Sequence, residues 1–301
     1  MGSTPPFHPG EPGYEPEILP PEGVSARPRG RGRWWAAAPA TYFLIAVNVA
    51  VFVLMTLNGV SPISPDPERL LNWGADHAGY VLLGGQWWRI VSAMFVHVGI
   101  LHLATNMWCL WNLGLLAEPL MGSFGVIAVY LLTGAAGNML STLRSWFIAS
   151  PDLADLTAKY HISLSSIPVD QLAGYFSPGA GASGAVFGIA GALIVLLKSP
   201  RLPLPAAELK KLRRSVILFA AINLIIPLTV NFGASALHAG LRIDNWAHVG
   251  GCACGLLFAA PMVPRIGSPR NVFSMRLRTA IGIVVGVLVL FAFYLAQLPR
   301  G

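Results

Sequence analysis

A serine flanked by glycines opens one of the apolar segments of this chain, in the sequence Gly181-Ala-Ser183-Gly184. Glycine leaves room for a substrate backbone to approach, and backbone N–H groups at a helix N-terminus stabilise developing negative charge. The serine is therefore a candidate nucleophile. Gly184 and Gly188 also form a GxxxG pair, a spacing at which membrane helices pack closely. The stretch alone is compatible with a nucleophile and with a packing face.

Several polar side chains lie in apolar segments, where they are costly and default to functional candidates, among them three histidines and Asn106. His102 and Asn106 are four residues apart, about one helical turn, so they should project from the same helix face. His97 precedes His102 by five residues, and we expect it to point well away from His102 and to hold the preceding loop. His248 lies in a later apolar segment.

The segment that carries His248 has a ridge of small residues at four-residue spacing, namely Ala247, Gly251, Gly255 and Ala259. Such a ridge allows tight packing on a partner helix, and the natural partner is the Ser183 segment with its own GxxxG. If the two faces meet, His248 comes within hydrogen-bond reach of Ser183. A serine hydroxyl becomes a good nucleophile when a base takes its proton, which is the arrangement that a Ser–His pair provides.

Other interpretations of these residues stay open on the spacing alone. A histidine in a span is commonly a satisfied polar contact, and Asn106 is also suited to join two helices. Phe187, one turn after Ser183, is expected either as core or as a buttress for the His248 ring. A metal site with His97, His102 and His248 as ligands is a further alternative. It would need another ligand or a carboxylate base, and the sequence has no HExxH motif.

The elements that position these residues are expected to be membrane helices. The 301 residues are 54% hydrophobic and 11% charged, whereas a soluble domain carries about 25% charged residues. The net charge of +7 falls at the ends of apolar runs, which indicates orientation in a bilayer rather than nucleic-acid binding. The three cysteines lie inside apolar runs and do not have the spacing of a closed zinc site.

The apolar runs predict an all-α bundle of seven transmembrane helices. Their approximate ranges are 38–57, 90–116, 122–143, the Ser183 segment to 197, 215–232, 246–262 and 279–298. Residues 1–36, rich in Pro, Gly and Glu, are expected to form a disordered cytoplasmic tail. Residues 37–265 then form a six-helix core, and residues 266–301 a cytoplasmic linker with the seventh helix.

The positions of Lys and Arg predict the orientation of the bundle. Fourteen of them lie in the tail and in the connections after the fourth and sixth spans, against six elsewhere. The positive-inside rule then puts the N-terminus in the cytoplasm and the N-terminal end of the Ser183 helix at the outer face. The expected location is the plasma (inner) membrane, as a multi-pass protein.

Five motifs in order along the chain resemble those of the rhomboid intramembrane serine proteases. They are Trp88-Arg89, His97-x4-His102-x3-Asn106, Gly114-x3-Glu118, Gly181-Ala-Ser183-Gly184 and Ala247-His248-x-Gly250-Gly251. The resemblance covers about Trp88 to Met262 and implies a catalytic dyad of Ser183 and His248 without an aspartate. It also implies that His102 and Asn106 donate hydrogen bonds to the oxyanion beside Gly181, together with the backbone N–H of Ser183. The seventh span is similar to the six-plus-one variant of the family.

The function that the resemblance implies is that of a serine endopeptidase. It would cleave single-span membrane proteins in the bilayer through an acyl-enzyme and without a metal or organic cofactor. A relative that only binds and escorts membrane clients would be expected to have lost Ser183 or His248, and both are present. The outer stretch 149–177 is longer than the family usually carries and predicts altered substrate access or an added docking surface. No feature of the sequence predicts an oligomeric state or a role for the seventh span.

Overall fold

The computed structural model describes residues 38–236 and 244–300. This part of the chain is a bundle of helices and contains no β-strand. The helices are α1 Pro39–Leu57, α2 Pro67–Asn72, α3 Arg89–Ser92, α4 Ile100–Tyr160, α5 Ser183–Leu196, α6 Ala206–Ala236, α7 Asn245–Ala259 and α8 Arg270–Gln297. By length and composition, α1, α4 and α8 are suited to cross a bilayer. The expected disordered tail, residues 1–36, lies outside the described residues.

Helix α4 contains two of the predicted spans, because the backbone departs from helical geometry at one residue only, Gly122. Gly122 has φ +72°, a conformation that favours glycine. The predicted start of the second span near residue 90 was wrong: residues 89–92 form the short α3, and a loop separates it from Ile100. The helix that contains the third predicted span continues beyond the expected end of that span near residue 143, to Tyr160.

The extension of α4 is held by a small hydrophobic cluster on the stretch 149–177. Trp146, Ala149 and Leu153, which follow a helical spacing, pack with Leu172 and Phe176. The Trp146 and Phe176 rings are stacked with centroids 6.3 Å apart. The stretch that was expected to be an outer loop is thus a folded unit, and it leads directly to the chain before Ser183.

The centre of the bundle is the contact between α5 and α7, and it confirms the predicted pairing of small-residue ridges. Gly251 faces the Gly184 backbone carbonyl, and Gly255 faces that of Gly188, both so closely that a side chain would overlap the oxygen. Helix α4 closes on the same pair, since a Cβ at Gly137 would lie 2.5 Å from the Ala247 carbonyl oxygen. Close backbone contact of this kind fixes the distance between α5 and α7.

Glu118 attaches α1 to α4. Its buried carboxylate accepts hydrogen bonds from the backbone N–H groups of Ala40 and Thr41, both 2.9 Å, and from the Thr41 hydroxyl at 2.7 Å. Ser123, just after the Gly122 bend, donates to the same carboxylate at 2.7 Å. The first turn of α1 is thereby satisfied by a residue 78 positions away.

The last helix, α8, lies along α4 and α7. Leu277 and Ala280 of its first half belong to the main core. Leu295 near its end packs with Val81 and Ile90, which belong to the loop and short helix before α4. The last helix therefore supports the loop that carries the Trp88-Arg89 motif.

Candidate active site

Ser183 is the first residue of α5. Gly181, two residues earlier, is a position at which a side chain would be poorly tolerated. Gly181 has φ +124°, and its N–H donates to the Ala93 carbonyl at 2.9 Å. A Cβ on Gly181 would lie 2.6 Å from Cε1 and 3.0 Å from Nε2 of His102. The side chain of Ser183 is half-buried at this N-terminus, where backbone N–H groups lack helical partners.

His97 lies in the loop before α4, and both nitrogens of its ring form hydrogen bonds with backbone groups. Its Nδ1 donates to the Phe95 carbonyl at 3.3 Å, and its Nε2 accepts from the Ala182 N–H at 3.4 Å. The expectation that it points well away from His102 was wrong, since their ring centroids are 5.4 Å apart. That expectation assumed a continuous helix, whereas the helix starts only at Ile100. The expected loop-holding role of His97 agrees with these contacts.

His102 and Asn106 lie in the first turns of α4 with their donors available to the same space. The Val98 N–H donates to His102 Nδ1 at 3.4 Å, so the neutral ring carries its proton on Nε2, the nitrogen nearer to Gly181. Asn106 Nδ2 donates to the His102 carbonyl at 2.9 Å. An amide nitrogen has two N–H groups, so one remains for another acceptor.

His248 is buried in the first turn of α7, and its ring is held by an aromatic neighbour. The Phe187 ring stacks on it with centroids 4.3 Å apart and planes 8° apart. Phe187 is buried as well, so it is both core and buttress. Within the described part of the chain, Nδ1 of His248 has no hydrogen-bond partner.

One cavity of about 670 Å³ brings these residues together. Its lining includes Ser183 and Phe187 of α5, His102 and Asn106 of α4, His248 of α7, and Gly181. Gly184 is in the α5–α7 contact instead, and His97 lies behind the cavity wall, among the residues that support it. Among the described residues no hydrogen bond joins Ser183 to His248, although both side chains face the same space.

The geometry bears on the metal alternative for the three histidines. Both ring nitrogens of His97 are engaged with backbone groups, so neither is directed at a shared ion. Among residues 38–236 and 244–300, no three His, Cys, Asp or Glu side chains group as ligands of a metal ion. The arrangement suits nucleophilic chemistry with hydrogen-bond donors.

Two aspartates at the site were missed by the sequence reasoning. Asp244 lines the cavity and caps α7, and Asp76 is buried in the loop between α1 and α4. An Asp immediately before an apolar helix is a recognised N-cap signal and would have pointed to Asp244. Asp76 had no comparable local signal, because its partners are distant in sequence.

Comparison with known proteins agrees with this arrangement. The model of the Rhomboid domain family matches residues 84–265, more than half of the chain. The chain belongs to the rhomboid family, and it is an integral membrane protein built as a helical bundle. The predicted resemblance is thereby confirmed.

Similar proteins include two bacterial relatives named as proteases. "Rhomboid protease GluP" of Bacillus subtilis is 30% identical over 255 residues, which are 84% of this chain and 40% of that protein. "Rhomboid protease AarA" of Providencia stuartii is 29% identical over 223 residues, 74% of this chain and 72% of that protein. A plant relative, "RHOMBOID-like protein 9, chloroplastic" of Arabidopsis thaliana, is 26% identical over 73% of this chain and 41% of its own length. The match thus spans less than half of two of these relatives.

Proposed function

We propose that this protein is a serine endopeptidase that cleaves membrane-anchored proteins within or beside the bilayer. Ser183 is the nucleophile and His248 the base. The observation that carries the proposal is the shared cavity, which collects a serine, a histidine and two further hydrogen-bond donors from three helices. Membership of the rhomboid family supports the same reaction class.

In the first half of the reaction, Ser183 Oγ attacks the scissile carbonyl carbon while His248 accepts the hydroxyl proton. The Phe187 stack restricts the His248 ring to one plane, which keeps the base oriented toward the cavity. The carbonyl oxygen becomes an oxyanion. It is held by Nε2–H of His102, the free amide N–H of Asn106 and the backbone N–H of Ser183.

In the second half, the tetrahedral intermediate collapses and the peptide C–N bond breaks. The leaving amine takes the proton from His248, and an ester to Ser183 remains as the acyl-enzyme. Water then attacks the ester with His248 again as base, and the acid product leaves. This sequence needs no metal or organic cofactor.

The substrates of this reaction are single-span membrane proteins that approach from the lipid. The side of the membrane at which Ser183 acts follows from the distribution of Lys and Arg. Fourteen of them lie in the tail and in the connections after the fourth and sixth spans. The N-terminus is then cytoplasmic in a plasma membrane crossed seven times. Cysteines introduced near Lys210 and Arg270 should resist an impermeant thiol reagent in intact cells, whereas one near Asp155 should react. The reverse pattern contradicts the orientation.

The test of the chemistry uses the full chain in detergent or liposomes. Ser183→Ala and His248→Ala should each abolish cleavage of a single-span substrate, and the double variant should be no worse because the two residues act as a unit. A fluorophosphonate probe should label the parent and not Ser183→Ala. The control is Ser165→Ala, an exposed serine of the outer stretch that should retain activity and labelling.

Two outcomes would contradict the proposal. Substantial cleavage by the Ser183→Ala variant would show that Ser183 is not the nucleophile. Loss of activity on dialysis against a chelator, restored by zinc, would favour the histidine-ligand alternative.

A further inference from the structure

Two neighbouring hydroxyl residues of α4 each bind a carboxylate from a different part of the chain. The Thr142 hydroxyl donates to Asp76, with distances of 3.0 Å to Oδ2 and 3.3 Å to Oδ1. The Ser141 hydroxyl donates to Oδ2 of Asp244. Asp76 is buried and Asp244 half-buried. The two attachments therefore lie side by side on one helix.

The Asp244 attachment controls the helix that carries His248. Oδ1 of Asp244 accepts from the N–H groups of Trp246 at 3.0 Å and Ala247 at 3.3 Å, which caps α7. His248 follows Asp244 by four residues, and both line the cavity. A helix capped and fixed to α4 at this point has little freedom to rotate its first turn, so the direction of the His248 side chain is set.

The Asp76 attachment controls the chain that enters Ser183. The N–H of Asp76 donates to the Gly179 carbonyl and the N–H of Gly179 donates back to the Asp76 carbonyl, both at 2.8 Å. Gly179 precedes Ser183 by four residues. The contact of Gly181 with Ala93 continues the same path. The serine therefore starts its helix from a segment tied to α4 through Asp76 and Thr142.

The two attachments meet at Gly179. A Cβ placed on Gly179 would lie 3.8 Å from Oδ2 of Asp244 and 3.9 Å from Oδ2 of Asp76. Both carboxylates are thus adjacent to the same backbone position, four residues before the nucleophile in the sequence.

We propose that Asp244 and Asp76 are positioning residues that set the separation of Ser183 and His248 by tying both to Ser141 and Thr142. This inference rests on the proposed function. Neither aspartate transfers a proton in the reaction. A misplacement of about 1 Å at reacting atoms costs on the order of 10²-fold in rate, so this clamp acts on kcat rather than on substrate affinity.

The experiment compares Asp244→Ala with Asp244→Asn in the full chain in liposomes. Asn is an equally good N-cap and still bonds the Ser141 hydroxyl. We expect Asp244→Ala to lower kcat and the rate of fluorophosphonate labelling of Ser183 together by about 10–100-fold, with KM nearly unchanged. Asp244→Asn should restore most of both. The matched control is Asp152→Ala, an exposed carboxylate on the outer end of α4.

Smaller variants test each attachment if Asp244→Ala does not fold. Ser141→Ala removes one hydroxyl and Thr142→Val the other, and each should lower kcat and labelling in parallel. Hydrogen exchange of the first turn of α7 provides a measurement independent of activity, and it should be faster in Asp244→Ala and Ser141→Ala.

Three results would overturn the proposal. They are normal kcat and labelling in Asp244→Ala, an Asn variant as impaired as the Ala variant, and a lowered melting temperature with unchanged kcat. Failure of the proposed function is a separate result, in which the parent protein itself shows no Ser183-dependent labelling.

Discussion

Replacing Gly181 by alanine should disable the proposed oxyanion site by moving the His102 donor. The added Cβ would lie 2.6 Å from Cε1 and 3.0 Å from Nε2 of His102, so the imidazole must move. The substitution also places a side chain at φ +124°, which costs of the order of 1–3 kcal/mol in stability. The steric and conformational effects are separable, because the first acts on catalysis and the second on folding.

The expected catalytic effect is the loss of one oxyanion donor, on the order of 10²–10³ in kcat or about 3–4 kcal/mol. KM should change little because the donor acts on charge that develops in the transition state. Cleavage of a fluorescent single-span substrate in liposomes gives kcat and KM, and melting in detergent gives the stability change. Gly85→Ala is the matched control, since Gly85 has φ +67° with nothing within 4 Å of the added Cβ.

A double variant identifies the cause of the effect. Once His102 is alanine the added Cβ has no ring to displace, so Gly181→Ala with His102→Ala should be about as active as His102→Ala alone. Independent losses that multiply in the double variant would refute the mechanism. So would a Gly181→Ala protein with near-normal kcat, or a loss no larger than that of Gly85→Ala.

Two further predictions concern stability. Gly251→Ala should destabilise the bundle by about 1–3 kcal/mol, because its Cβ meets the rigid Gly184 carbonyl; Gly282→Ala, on α8 with open space around it, is the control, and equal melting temperatures would contradict the packing. Asp76 lies in the loop outside the spanning helices, and its burial, together with the negative charge of Asp244, raises its pKa from 3.8 to about 7. The hydrogen bond from Thr142, the backbone hydrogen bond of His77 and the charge of Arg89 lower the same pKa, but by less. The stability from this raised pKa is complete below about pH 4 and is lost as pH rises to about 7, a difference of about 4 kcal/mol; melting from pH 4 to 8 should therefore fall less steeply in Asp76→Asn, and parallel curves would show that Asp76 does not titrate there.

The sequence predicted those parts of the site that depend on local spacing. The four-residue ridges of Gly184 with Gly188 and of Gly251 with Gly255 predict their own contact, because only small residues allow backbones to approach. The one-turn separation of His102 and Asn106 predicts a shared face once the segment is helical, and they do line one cavity. The Phe187 position relative to Ser183 likewise placed its ring near His248.

The parts that failed depend on tertiary packing. Hydropathy marks where the lipid ends and not where a helix ends, so the extension of α4 to Tyr160 was invisible without its contact to Phe176. The position of His97 required knowing that α4 begins at Ile100. The Asp76–Thr142 contact joins residues 66 positions apart and has no periodic pattern that would reveal it.

Helices α5 and α7 have only 14 and 15 residues, a rise of about 21–23 Å, whereas the hydrocarbon layer is about 30 Å thick. In the proposed orientation, with the end of α5 at the inner boundary near Lys198, Ser183 would lie several ångströms below the outer boundary. In the proposed reaction, the water that hydrolyses the acyl-enzyme would then have to reach Ser183 from an opening surrounded by lipid. A thicker bilayer would increase the depth of Ser183 below the outer boundary, and a thinner one would decrease it. The rate of the proposed reaction would therefore depend on the thickness of the membrane.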